Sequence, residues 1–200
     1  AGMISPPFVN GWNAEMDASS STDVEGAKAL MAEAGYGDGF SIQLDCPNDR
    51  YINDEGSCQA AAGMLAQIGV TVNLDAKPKA QHFPLINTLS TDFYMLGWGV
   101  PTYDSEYIFN FLVHTRDEKY GSWNGTRFGN ADLDAKIESL ASNTDLDARN
   151  ADIASIWRTI QDEQLYVPIH HQVLNWGMSD GVGIEVDPED QPRVKYFTMK

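Results

Sequence analysis

The sequence predicts an α/β or α+β fold around a mixed β-sheet, in a single lobe, on three observations. Helical stripes and strand-like runs alternate along the chain with short connections. One strand–helix–strand unit leaves its helix so abruptly that the two strands must lie parallel. Phe93, Tyr94, Met95 and Leu96 form a continuous apolar run, as a strand covered on both faces requires. No repeat of fixed period, low-complexity tract or internal domain boundary interrupts this order.

Residues 1–20 contain Pro6, Pro7 and the first two of three consecutive serines, show no periodicity, and read as an extended arm. A chain that opens this way reads as an excerpt of a longer protein. Thr22 to Gly35 is a helix: Thr22 and Glu25 form a capping box, and Ala27, Leu30, Met31 and Ala34 make its apolar stripe. Gly35 supplies the left-handed stop. Phe40, Ile42 and Leu44 alternate with polar residues as a strand. A second helix, from about Asp54 to Ile68, carries Cys58, Ala61, Ala62 and Leu65 on one face and stops at Gly69. Val70, Val72 and Leu74 alternate immediately afterwards and complete the parallel unit.

Phe83, Leu85, Ile86 and Leu89 suggest a short helix after the break at Lys77-Pro78. Asn124-Gly125 is a turn signal, and Asn130 can cap a helix in which Leu133, Lys136, Ile137 and Leu140 recur. A longer helix follows Thr144, with Ile153, Ile156, Trp157 and Ile160 facing inward. Tyr166 to Val173 reads as a strand, and Arg193 to Thr198 as another.

The most informative stretch is Thr91 to Phe111. Its strand stops at Gly97-Trp98-Gly99, where the backbone can approach another body closely and the indole has room. Pro101 then fixes a loop, and Asp104 places a carboxylate before a short helix. An aromatic plate and an anion beyond the end of a buried strand are the furnishings of a ligand cleft. The same residue types also serve as a core Trp and a helix cap.

Composition narrows the partners. Thirteen basic and 29 acidic residues give a net charge of −16, which opposes nucleic acid and anionic membrane surfaces. No apolar run reaches the roughly 18–20 residues of a membrane span. Residues 1–4 lack the basic and apolar regions of a secretory signal. Cys46 and Cys58, the only cysteines, fit no zinc spacing and flank a turn between a strand and a helix. They are either a disulfide, which implies an oxidising compartment, or two separately packed thiols.

Tests for catalysis fail in sequence. Gly177-Met178-Ser179-Asp180-Gly181 fits G-x-S-x-G, but the residues that follow cannot continue as a helix and no His lies beyond Ser179. His170 and His171 are adjacent and would point to opposite faces of a strand, so they cannot readily chelate one ion. Carboxylates are abundant, yet no spacing marks an acid–base pair, and neither a dinucleotide-binding nor a Walker loop occurs. No catalytic residue, metal site or cofactor is expected.

Four segments in series carry a resemblance: AKALMAEAGYGDGFSIQL (27–44), CQAAAGMLAQIGVTVNL (58–74), DFYMLGWGVPTYDSEYIF (92–109), and the pair GNADLDAKI (129–137) with ARNADIASIWRTIQDEQLYVPIHHQ (148–172). In this order they resemble the C-terminal lobe of the family 5 extracellular solute-binding proteins, the dipeptide and oligopeptide receptors of ABC importers. The resemblance implies an α/β lobe of the type II periplasmic-binding-protein kind, a mixed β-sheet flanked by helices, spanning 1–200, from a two-lobed, monomeric protein that is periplasmic, extracellular or membrane-anchored. The N-terminal lobe would precede this chain. The whole protein would capture short peptides between its lobes and deliver them to a membrane permease. Other small solutes, such as nickel chelates or sugars, and a sensor or chaperone role are the alternatives, with a hydrolase last.

Asp104 holds the position of the family's acidic residue after Gly-Trp, which pairs with the ligand's α-ammonium group, and Trp98 matches the family's Trp as part of the wall. The family often has Asp-Pro where this chain has Asp104-Ser105, which leaves the ligand class open. Gly99, Tyr103 and Asn124 complete the expected ligand contacts, on loops that should face the cleft.

Overall fold

The computed structural model describes residues 1–18, 21–187 and 190–199, so Ser19 and Ser20 of the expected arm lie outside the described residues. The chain forms two compact units where the sequence showed no boundary. One comprises Ala1–Ser19, Gly99–Asn110 and Ala135–Lys200, the other Ser20–Trp98 and Phe111–Asp134.

The second of these units holds the parallel sheet. Helix α1 (Val24–Glu33) starts one residue later than the capping box predicts, because Asp23 is the extended residue and its Oδ1 accepts the Gly26 N–H at 2.8 Å. Strand β1 (Phe40–Pro47), helix α2 (Asp54–Ala66), strand β2 (Val70–Lys77), helix α3 (Lys79–Asn87) and strand β3 (Phe93–Tyr94) follow. The strand order is β2-β1-β3, with β1 parallel to both neighbours and Leu44 opposite Leu74 and Phe93. Gly39 enters β1 with φ +77°, and a Cβ there would stand 2.1 Å from the Gly69 carbonyl oxygen, so only glycine fits.

The central strand is buried from Leu44 to Pro47. Cys46 and Cys58 form a disulfide that ties the end of β1 to α2, which settles the choice between bridge and free thiols. Leu44 and the two cysteines make a small core against which Val72, Leu74, Ala76, Phe93 and Met95 pack. Asp45 is wholly buried, and burial pushes its carboxyl up. Lys77 Nζ at 2.8 Å, Thr91 Oγ1 at 2.6 Å and Gln43 Nε2 at 3.1 Å outweigh that and hold it below the usual carboxylate range.

β3 is shorter than its apolar run predicts. Only Phe93 and Tyr94 join the ladder; Met95 still donates its N–H to Asp45 O at 3.0 Å, and the chain then leaves the sheet.

In the other unit, residues 1–18 are folded into turns rather than extended, with Met3 and Val9 buried and Asn10 bridged to Asp104. Helix α4 (Ser105–Ile108) runs on as a π-helical turn, Phe109–Val113, which crosses into the sheet-bearing unit after Asn110. Helix α5 (Ala131–Ser139), whose first four residues belong to the sheet-bearing unit, begins as expected after Asn130, whose Oδ1 accepts the N–H groups of Asp132 and Leu133, both at 3.1 Å. Helix α6 (Leu146–Asp162) is capped by Asp145, one residue beyond Thr144. Its predicted stripe of Ile153, Ile156, Trp157 and Ile160 is buried. Trp157 meets Phe109 edge to face at 5.1 Å and donates its Nε1–H to Ser105 Oγ at 3.0 Å.

Tyr166 to Val173 does not become a strand. Alternation creates a strand only where a second backbone supplies the ladder, and among the described residues this segment joins none. The predicted strand over 193–198 is mostly a 3₁₀ turn, Val194–Tyr196, after which β5 (Thr198–Met199) pairs antiparallel with β4 (Val182–Gly183).

Asp17 organises the folded arm. Burial raises its carboxyl, but hydrogen bonds from Trp12 Nε1 at 2.9 Å, Met3 N and Gly2 N, with His171 alongside, outweigh this and lower it to about 2. A carboxyl lowered on folding stabilises above its ordinary 3.8 and loses that contribution as pH falls toward about 2. Urea titrations across this window should show wild-type stability falling more steeply than that of Asp17→Asn. Parallel curves would remove Asp17 from this role.

Candidate functional site

The candidate segment starts where β3 ends. Gly97 lies against Tyr51, whose hydroxyl accepts the Gly97 N–H at 2.8 Å and donates to the Gly97 carbonyl at 3.3 Å. The next residue, Trp98, stands in an aromatic group of its own unit. Its ring centroid is 5.8 Å from Phe111 and 6.0 Å from Trp123, and Trp123 lies edge-on to Phe83 at 5.6 Å. Trp98, Trp123, Phe83 and Phe111 are each only partly buried, so the group keeps apolar ring surface at the protein's exterior.

Asn124, beside Trp123, is buried and fully used within its loop. Its Nδ2 donates to the carbonyls of Val113, His114 and Phe128, and its Oδ1 accepts from Thr126 N and Oγ1. These bonds account for the amide's polar capacity, so the Asn-Gly turn signal marks a loop-ordering residue.

In the other unit, Gly99 is exposed, and Val100 to Tyr103 form a turn closed by Tyr103 N–H to Val100 O at 2.9 Å, with Pro101 at its first corner. Tyr103 has φ 54° and an exposed ring set edge-on to Phe8 at 5.9 Å. The Tyr103 ring also borders an open hollow of about 280 Å³ shared with Glu185, Val186, Asp187, Arg193 and Tyr196.

Asp104 is the N-cap of α4, accepting the Glu106 N–H on Oδ1 at 2.9 Å. Arg149 grips the same carboxylate with both terminal nitrogens, at 2.8 and 3.0 Å, and Asn10 Nδ2 reaches Oδ2 at 3.0 Å. Arg149 also bonds Glu106 Oε2 at 2.9 Å and the Leu140 carbonyl at 3.0 Å. Burial raises the Asp104 carboxyl, but Arg149, the Glu106 amide and Asn10 together bring it below the ordinary range. Four donors occupy a carboxylate that offers about four lone-pair positions, so an incoming ammonium group would have to displace one of them.

Sequence reasoning named Trp98 but missed Trp123, Phe83, Tyr51 and Arg149. Arg149 carried a signal: it is a cation in the first turn of α6, where the helix dipole disfavours positive charge unless an acid holds it. Trp123 is an indole amid Gly, Ser and Asn, an unusual place for so large an apolar ring.

The hydrolase pattern finds no support in the geometry. Ser179 is exposed, its carbonyl accepts the Val182 N–H in a turn, and β4 follows where a helix would be needed. Among the described residues, no group of three or more metal-binding side chains is assembled, and no helix is long and apolar enough to cross a membrane.

The parallel α/β core has the fold of the type II periplasmic binding proteins. The chain is a member of the bacterial extracellular solute-binding proteins, family 5, whose middle-region model matches residues 1–120. No curated protein matches it significantly. The fold is similar to that of the dipeptide-binding protein from Pseudoalteromonas sp. SM9913 in complex with Met-Leu, at TM-score 0.82 and 23% identity over 100% of this chain and 40% of that one. HbpA2 from Haemophilus parasuis matches at TM-score 0.78 and 22% identity, over 100% of this chain and 40% of that one. The periplasmic binding protein DppA from Helicobacter pylori, in complex with the peptide STSA, matches at 0.74 and 19%, over 84% and 32%. The chain thus spans between about a third and two-fifths of the length of these proteins.

Proposed function

We propose that this chain is the peptide-contacting lobe of the extracytoplasmic receptor of an ABC importer, and that it binds without catalysing a reaction. The observation that carries the reading is the partly exposed aromatic group of Trp98, Trp123 and Phe83 beyond β3, in a chain of a solute-binding family. Such a surface takes apolar ligand side chains by burial and stacking. A second lobe would close over it, and a membrane permease would receive the ligand.

In this reading Trp98 is a wall and Asp104 an internal anion, its oxygens engaged by Arg149, Asn10 and Glu106. Its part is to hold the loop that carries Gly99 and Tyr103, which remain the candidate contacts of that unit. The buried Asn124 acts in the same indirect way, ordering the turn beside Trp123.

Calorimetry of the full-length protein with the dipeptide Met-Leu tests the proposal. Trp98→Ala should weaken binding by about tenfold or more, as loss of a central aromatic anchor does. Unchanged affinity removes Trp98 from the site. Wild-type protein that ignores a dipeptide panel but takes a sugar or a nickel chelate would redirect the ligand class.

A further inference from the structure

Tyr51 stands in the loop between β1 and α2 that the Cys46–Cys58 disulfide closes. This loop is unusually well held. The buried Asp54 accepts the N–H groups of Arg50 and Tyr51 on Oδ2, both at 3.0 Å, and that of Glu55 on Oδ1 at 2.9 Å. Asn53 turns the chain in the left-handed conformation, and Asp49 Oδ1 accepts the Lys79 N–H at 2.6 Å. The Arg50 guanidinium covers the Tyr51 ring at 4.9 Å.

From this base the phenol does what a neighbouring strand would otherwise do. β3 leaves its ladder after Tyr94, and the Tyr51 hydroxyl takes both backbone groups of Gly97, N–H and C=O. The ring lies so close that a Cβ on Gly97 would stand 2.6 Å from Tyr51 Cε1. Gly97 has no positive φ, so the requirement for glycine here is one of space. Burial raises the phenol above its ordinary value of 10.0, which keeps its proton available for donation at neutral pH. The residue so gripped is the one before Trp98.

We propose that Tyr51 is a positioning residue for the Trp98 wall, its hydroxyl fixing Gly97 and so the direction from which the indole leaves the backbone. The inference rests on the reading of Trp98 as a ligand wall, but its test separates the two. Full-length protein is labelled with 5-fluorotryptophan, and Trp98→Phe identifies the Trp98 fluorine resonance. Tyr51→Phe keeps the ring and its packing and removes only the hydroxyl.

In Tyr51→Phe the Trp98 resonance should shift or broaden while that of Trp157 stays in place, and Met-Leu affinity should fall by about tenfold. Gly97→Ala, which pushes the ring away, should give the same Trp98 signature. If Tyr51→Phe leaves the Trp98 resonance unmoved and only Tyr51→Ala disturbs it, the ring merely packs and the proposal is overturned. If the resonance moves but the wild-type protein binds no dipeptide, the positioning role stands and the peptide reading falls.

Discussion

Replacing Arg149 with Met is expected to lower stability by about 3 kcal/mol, the usual consequence of removing one partner from a largely buried ion pair. Arg149 and its two carboxylates are poorly exposed, with side-chain accessibilities of 13% for the arginine and 24% for each of Asp104 and Glu106. Met keeps most of the side chain's length and apolar contact, so the loss measures charge and hydrogen bonding. Two carboxylates are then left partly desolvated without their counter-ion, and the Leu140 carbonyl loses its donor.

The pH dependence follows from the signs. In the wild-type protein Asp104 is lowered, so it stabilises above the ordinary 3.8 and ceases to do so as pH falls through its lower folded value. Without Arg149 the largest opposing partner is gone and burial dominates, so the carboxyl rises and its protonation relieves the variant on acidification. The gap between the two proteins should therefore be widest near neutrality and narrow toward pH 4. Arg149→Lys, with charge but no bidentate fork, should fall between them. Urea midpoints at the two pH values provide the measurement. A loss below about 1 kcal/mol at neutral pH would mean that water already serves these carboxylates well.

This ion-pair group also marks the limit of what the sequence could reveal. The stripe of α6 was legible because Ile153, Ile156, Trp157 and Ile160 repeat with the helical period, and burial follows from that period. Parallel pairing of β1 and β2 was legible because so short an exit from α2 leaves little choice. The grip of Arg149 on Asp104 spans 45 positions and has no period. Its one local trace was a cation at the wrong end of a helix.

The errors in the strand assignments share one cause. Met95-Leu96 and Tyr166–Val173 have strand composition, but a ladder depends on what lies alongside. For the first, a tyrosine side chain serves the backbone at Gly97 instead. The candidate site was legible as a segment, 91–111, and as one residue, Trp98. Its aromatic companions Trp123 and Phe83 come from distant positions and emerge only once the chain has folded.

Opening the Cys46–Cys58 bridge is expected to lower stability by about 3 kcal/mol, the chain-entropy value for so short a loop. The sulfurs close a separation of 12 residues between β1 and α2. Both are buried, at 0% and 3% exposure, against the small core of this unit. Reduction alone keeps their volume, so it isolates the cross-link, whereas Cys46→Ala with Cys58→Ala also removes packed atoms and should lose about 1 kcal/mol more. Guanidinium unfolding of oxidised, reduced and doubly substituted protein separates these contributions. Because the cross-link acts on the unfolded ensemble, the reduced protein should also unfold with a steeper denaturant dependence, exposing more surface. If oxidised and reduced forms unfold within 1 kcal/mol of each other, the bridge does not stabilise this unit through the unfolded chain. A loss near 3 kcal/mol would give the bridge a clear value in an oxidising compartment, where it persists, and little in a reducing one. That asymmetry fits a chain whose family is extracellular.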